Sequence, residues 1–413
     1  MKTCHATKLV IVLMATALSS SCATVKTVGV NAKRVVKGQT VSKKDLKYAL
    51  EHDEKELKRK AEQKEKIIEA ELQVLRHKFE KVLAKLKTNV QQHWGRKETK
   101  VATRTVYVKY THGYTSRVMT DFDHGVLTVE TLDEKDPQGS LKTAIVSALL
   151  TSSDPASVDL FTDKDVKLDL SSKPYLYGLV LDNAGKPIAT REQAEKYAEF
   201  LVPKKVQTHT VQGEGGGKVA RFVKLTMVRN FEAKGAERYR ASVSKYSSQY
   251  QVSPSLVYAI IRTESNFNPF AVSGAPAYGL MQLVPSSGGR AAFRRVKGVD
   301  KAPTTEYLFD PDHNIELGTA YLSVLANDEF PVVSNQNSRE YCMIAAYNTG
   351  PGNVMKVFAK VKREALKMIN DLQPAALFDR LRTSLPWEET RQYVVKVTKS
   401  RKQFVDGAAT PPP

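Results

Sequence analysis

Gln251-Val-Ser-Pro-Ser-Leu-Val-Tyr-Ala-Ile-Ile-Arg-Thr-Glu-Ser-Asn-Phe-Asn-Pro269 decides the fold of the C-terminal region. Pro254 suits the first turn of a helix, where the amide it lacks would have no intrahelical partner, and Ser253 stands in the N-cap position. Leu256 to Ile261 are almost all apolar, which predicts a helix buried on most of its faces. That helix carries Glu264 at its end, beside Ile260, Ile261 and Phe267. Apolar surroundings favour the neutral form of a carboxylic acid, so Glu264 is placed to give a proton near neutral pH.

Outward from this stretch the chain divides by its periodicities. From Asn230 the pattern is one of short helices separated by Pro and Gly, giving a mainly α-helical domain over 230–405 and a tail over 406–413. Residues 95–229 read as an α+β domain. The period drops to two in Thr105–Tyr110, Ser116–Phe122 and Val126–Thr131, with a His124-Gly125 turn, so three antiparallel strands are expected. A helix near Leu141–Leu150, a strand over Tyr175–Asp182 and a helix from the Thr190 cap to Leu201 follow. A hairpin around Gly213–Gly217 ends the domain.

Between Lys43 and Trp94 there is neither Pro nor Gly, and Leu46, Leu50, Leu57, Ala61, Ile68, Leu72, Leu75, Phe79, Val82, Leu86 and Val90 recur at helical steps. A long amphipathic helix over 43–94 is expected, its other faces carrying charges of both signs. It serves either as a self-associating spacer or as a solvated helix packed on its own domain.

The first residues carry a different signal. Lys2 and Lys8 precede the apolar run Leu9–Leu18, ten residues against the ~20 of a spanning helix. Small residues Ser19, Ser20 and Ser21 then lead to Cys22. This is a secretory signal over 1–21 followed by a tether over 22–42. A cysteine after small residues resembles the bacterial lipobox, which implies acylation of Cys22, with palmitate among the acyl groups, and a lipid anchor at the periplasmic face of the outer membrane. Leu18 stands four residues before Cys22, where the pattern prefers three, so a soluble periplasmic product is the alternative. Cys342 lies in an apolar run and reads as a small buried hydrophobe.

The composition narrows the partners. A formal charge of +19, from 63 Lys and Arg against 44 Asp and Glu, favours a polyanionic neighbour. An export signal with no recognition motif argues against nucleic acid. Three cysteines and His112, His124 and His209 lack metal-ligand spacing, so neither metal nor cofactor is expected.

Glu264-Ser-Asn-Phe-Asn-Pro269 is followed in order by Ala271-Val-Ser273, Gly279-Leu-Met-Gln282, Leu308-Phe-Asp-Pro-Asp-His-Asn-Ile315, Ala345-Ala-Tyr-Asn-Thr-Gly-Pro-Gly352 and Glu389-Thr-Arg-Gln-Tyr393. This series resembles the soluble-lytic-transglycosylase domain, with its goose-type lysozyme fold. The 95–229 region resembles the companion domain of membrane-bound lytic murein transglycosylases in Tyr107–Thr111, Val129-Glu-Thr131, Val158-Asp-Leu160 and Tyr175-Leu-Tyr-Gly178.

The resemblance implies a carbon–oxygen lyase of the cell wall. It would cleave the β-1,4 bond between N-acetylmuramic acid and N-acetylglucosamine in peptidoglycan and leave 1,6-anhydromuramyl ends. It also implies Glu264 as catalytic acid, Ser273 and Gln282 as donors to the sugar substituents, and Tyr347 as a partner of Glu264 or the substrate. Met281, Asn348, Tyr393 and Glu389 would complete the substrate-binding set. Tyr278 stands where the family carries a small or apolar residue.

The residues bear on the mechanism separately. Glycosidases usually use two carboxylates, and no other Asp or Glu occurs between Glu264 and Asp300. A single acid suffices if the attacking group is the sugar's own hydroxyl, already held in place. A lysozyme-like hydrolase, with a remote acid such as Glu389 folded into the cleft, and a non-catalytic murein-binding scaffold are the alternatives.

Overall fold

The computed structural model describes residues 43–169, 171–274 and 276–407; the expected signal peptide, Cys22, the tether and residues 408–413 lie outside them. Among the described residues no helix is long and apolar enough to cross a membrane. Those up to Glu71 and those from Leu72 onward form two compact units.

Helix α1 (Lys43–Trp94) has the expected bounds. From Leu72 onward its stripe of Phe79, Leu86, Val90 and Trp94 is buried, the last three packing on Val108, Tyr110 and Val211. Packing on its own domain is therefore the fate of this half. The helix stops at Gly95, whose φ is +73° and where a Cβ would fall 1.7 Å from the Gln212 carbonyl oxygen, so only glycine fits.

The α+β region is built on one antiparallel sheet, order β1-β2-β3-β5-β4, of β1 (Val106–Thr111), β2 (Ser116–Asp121), β3 (Val126–Thr131), β4 (Gln207–Gly213) and β5 (Gly216–Thr226). Helices α2 (Pro137–Leu150) and α3 (Arg191–Lys205) pack against each other, and α2 covers β2 and β3. Asp136 caps α2, and Thr190 with Gln193 forms a capping box on α3. The strand expected over Tyr175–Asp182 is absent. Tyr175, Leu176, Leu179 and Val180 are buried in adjacent pairs rather than alternately, and a turn with Gly178 at φ +71° leaves only isolated bridges.

The C-terminal region is helical, as expected. Helix α5 (Pro254–Ser265) follows α4 (Arg240–Tyr250) and is buried from Leu256 to Ile261. It packs against α4 and α8 (Glu388–Arg401), while α7 (Gln336–Thr349) packs against α8. Helix α6 (Pro311–Val324) is capped by Asp310 through the amide of His313. Cys342 is fully buried, and burial pushes its thiol up to about 12, as befits a small hydrophobe.

The two regions do not keep separate cores. Phe270, five residues after the end of α5, is buried in the cluster of the sheet domain, with its ring 4.6 Å from Tyr107 and 5.2 Å from Tyr175.

Candidate active site

Helix α5 ends because Asn266 takes the left-handed conformation at φ +45°, and Phe267 follows at φ +63°. Asparagine tolerates this region, whereas phenylalanine does so only under constraint. The constraint comes from the sheet domain. The Asn266 side chain donates to the Phe122 carbonyl at 2.7 Å, and the Asn268 side chain donates to the Arg104 carbonyl at 3.0 Å. Thus the segment following the acid clamps the helical region to the loop ahead of β1 and to the β2–β3 turn.

Glu264 is 5% exposed. Burial raises its pKa to about 7, opposed by Tyr393 and by the charge of Arg104 and assisted by Glu389. The Tyr393 hydroxyl faces the carboxyl without a regular hydrogen bond, and burial followed by the charge of Glu264 holds the phenol well above its usual range. Arg104 Nη1 lies 3.7 Å from Glu264 Oε2 and 3.6 Å from Glu389 Oε1. The Glu389 side chain is 71% exposed, so the two carboxylates meet one guanidinium from opposite sides of the desolvation boundary. A groove of about 840 Å³ opens beside Arg104, walled also by Thr263, Ser273, Lys396 and Lys399, while Glu264, Glu389 and Tyr393 stand outside its lining.

The other expected site residues fall into three groups. Ser273 is half-buried and lines the groove, its amide donating to the Ala277 carbonyl at 3.3 Å. Gln282 is buried at φ +48°, and its Nε2 donates to the Ala271 and Gly279 carbonyls at 3.0 and 2.9 Å. Turning the amide over would set its oxygen against those carbonyls, so Oε1 is the atom left buried without a partner. Tyr347 donates to the Met281 carbonyl at 2.8 Å; its expected contact with Glu264 is electrostatic only, and Tyr393 is the phenol beside the acid.

Met281 is open in the sequence between core packing and a contact with a sugar. Its side chain is fully buried, and a Cβ on Gly318 would fall 2.3 Å from its sulfur, so it fills the space that glycine leaves on α6. Asn348 accepts from Thr390 at 2.7 Å and ties α7 to α8, the helix of Glu389 and Tyr393. Tyr278 is buried against Phe309 rather than presented to the groove.

Two important residues were not apparent in the sequence. Asn314 clamps the 278–282 loop: it donates to the Tyr278 and Leu308 carbonyls at 2.9 and 2.7 Å and accepts from the Met281 amide at 2.7 Å. Arg104 lies in Lys100-Val-Ala-Thr-Arg-Thr105, which carries no local signal of a site. Among the described residues no group of His, Cys, Asp and Glu is arranged to hold a metal ion.

A buried acid closing an apolar helix, with a phenol and a shared guanidinium at its carboxyl, is the setting in which the comparisons fall. The family model described as the transglycosylase SLT domain matches residues 241–370, which places the helical region in the lytic transglycosylase class. Residues 72–238 match the model for the N-terminal domain of membrane-bound lytic murein transglycosylase C. The proteins of that name from Yersinia enterocolitica and Yersinia pestis are 41% and 40% identical over 326 residues, 79% of this chain and 89% of theirs. The chain belongs to the membrane-bound lytic murein transglycosylase C family. Among solved structures, an inactive mutant of the lytic transglycosylase Slt from Pseudomonas aeruginosa is 30% identical, with a TM-score of 0.32 over 42% of this chain and 25% of that one.

Proposed function

We propose that this chain is a lytic transglycosylase that cleaves the β-1,4 bond between N-acetylmuramic acid and N-acetylglucosamine in peptidoglycan, with Glu264 acting first as acid and then as base. The observation that carries the proposal is a buried carboxyl whose pKa lies at about 7, so that both protonation states are accessible at neutral pH. Neutral Glu264 protonates the leaving O4 as the C1–O4 bond breaks. The C6 hydroxyl of the muramyl sugar then bonds to C1 and returns its proton to the Glu264 carboxylate. No water is consumed, and the product is lighter by one water than a hydrolysis product. An attacking hydroxyl tethered in the substrate has an effective molarity of about 10⁵ to 10⁸ M when well oriented, so no second carboxylate is needed to activate it. Ser273, which lines the groove, is the group offered to the substrate from the protein side.

Mass spectrometry of muropeptides released by the protein and by its Glu264→Gln variant tests this. Anhydro ends from the wild type and none from the variant are expected. Reducing ends would instead favour hydrolysis, the reading that Glu389 supports by lying within reach of the same guanidinium as Glu264. Binding without release would leave a wall-binding scaffold.

The location belongs to the same proposal. Acylation of Cys22 after removal of the signal would hold the enzyme at the periplasmic face of the outer membrane, in keeping with the membrane-bound name of its relatives. Cys22→Ala is expected to move the protein from the membrane pellet to the soluble fraction; unchanged sedimentation removes the anchor. Self-association through α1 is supported by Ile67 and Val74, exposed on that helix, and would be ruled out by a monomeric mass at every concentration in analytical ultracentrifugation.

A further inference from the structure

Arg104 is held more firmly than its half-buried position requires. The Thr103 amide donates to the Val106 carbonyl at 2.8 Å, the Thr105 carbonyl accepts from the Phe122 amide at 2.9 Å, and the Thr105 hydroxyl donates to Asp123 at 2.7 Å. From the helical region, Asn268 fixes the Arg104 carbonyl, and the Val272 amide reaches the Thr103 carbonyl at 3.4 Å. The backbone is thus secured from both sides, while the guanidinium is left uncommitted. Its Nη1 is beyond hydrogen-bond distance of either carboxylate, at 3.7 Å from Glu264 and 3.6 Å from Glu389. A shift of well under an ångström would commit it to one or the other.

We propose that Arg104 is a positioning residue, shared between Glu389 and Glu264 so that it closes on Glu264 when that residue has given up its proton, which makes the sheet domain part of the catalytic apparatus. This rests on the reading of Glu264 as acid and then base. While Glu264 is neutral, Glu389 is the only charged partner of the pair and draws the guanidinium outward. Once Glu264 is a carboxylate in a desolvated site, the cation is worth more on that side, because the attraction is less screened there. The remaining groups acting on Glu264 are Tyr393 on α8 and Tyr347 on α7. Arg262, on the same helix as Glu264, is turned to Glu232 and Gln403.

The test is the pH dependence of kcat/KM for anhydro-muropeptide release by the full chain. In Arg104→Gln the alkaline limb is expected to move up by about half a unit or more, because the acid keeps its proton longer, with kcat falling more than KM changes. In Glu389→Gln the limb is expected to move down, since the guanidinium then has Glu264 alone. Arg104→Lys, which retains the charge, restores most of the wild-type position. Titration of the Glu264 carboxyl by carbon-13 NMR reads the same shifts without turnover. Limbs that stay in place, or move the same way in both variants, overturn the role of Arg104 while leaving the acid–base assignment standing. A wild type that yields no anhydro ends would bring down that assignment, and this proposal with it.

Discussion

Arg117 and Glu130 on the sheet, and Arg104 and Glu264 at the end of α5, join the same two kinds of side chain under different terms. Arg117 and Glu130 face each other across β2 and β3. Arg117 Nε donates to Glu130, another of its nitrogens reaches the Glu98 carbonyl, and its guanidinium lies 3.8 Å from the centre of the Trp94 ring. Glu130 also meets His209 Nε2 at 3.3 Å. Each charge there is buried but filled with partners. Glu264 is as deeply buried, yet it faces a cation at 3.7 Å and a phenol without a regular hydrogen bond. A buried acid whose partners are incomplete is held near the point where it exchanges its proton.

The contrast breaks most visibly in activity. Replacing Glu264 by Gln is expected to lower anhydro-muropeptide release on the order of 10³-fold, the scale of a lost general acid, whereas Glu130→Gln leaves the rate per folded molecule close to wild type. Stability should respond in the opposite way. Glu130→Gln strands the buried Arg117 and is expected to cost about 3 kcal/mol in urea unfolding. An unchanged midpoint would show that Glu98 and Trp94 suffice to hold the arginine.

A smaller effect sharpens the comparison through pH. The folded pKa of Glu264, about 7, lies above its ordinary value of 4.5, so the native state retains a proton that the unfolded chain releases between those values. The stability this contributes is present below pH 4.5 and is lost as pH rises through 7. Glu264→Gln removes that loss, and the variant is expected to be more stable than wild type by about 3 kcal/mol at pH 8 and similar to it at pH 4. Equal stability at both would mean that the carboxyl is solvated in the folded state.

The sequence revealed the parts whose signals are local. The bounds of α1, the Thr190 cap, the β2–β3 hairpin and the placing of Glu264 at the end of an apolar helix all follow from residues within a few turns of one another. Met281 and Gln282 show where this stops. They stand in a motif that names the site, yet one side chain fills the space at Gly318 and the other spends its amide on Ala271 and Gly279. Side-chain direction in an irregular loop depends on which carbonyls the loop brings near, and spacing in the sequence does not encode that.

By itself, the sequence determined the long helix, the sheet and helical domains and the acid, because periodicity, capping and an apolar run are properties of a short stretch of chain. Only the tertiary structure decided the state of that acid. Arg104 and Glu389 lie far from Glu264 in the chain on either side, and it is the packing of the helical region on the sheet domain, with Phe270 in the other core and Asn266 and Asn268 holding its backbone, that brings them to one carboxyl. Desolvation and the field at a carboxyl are sums over everything nearby in space, so they exist only once the chain has folded.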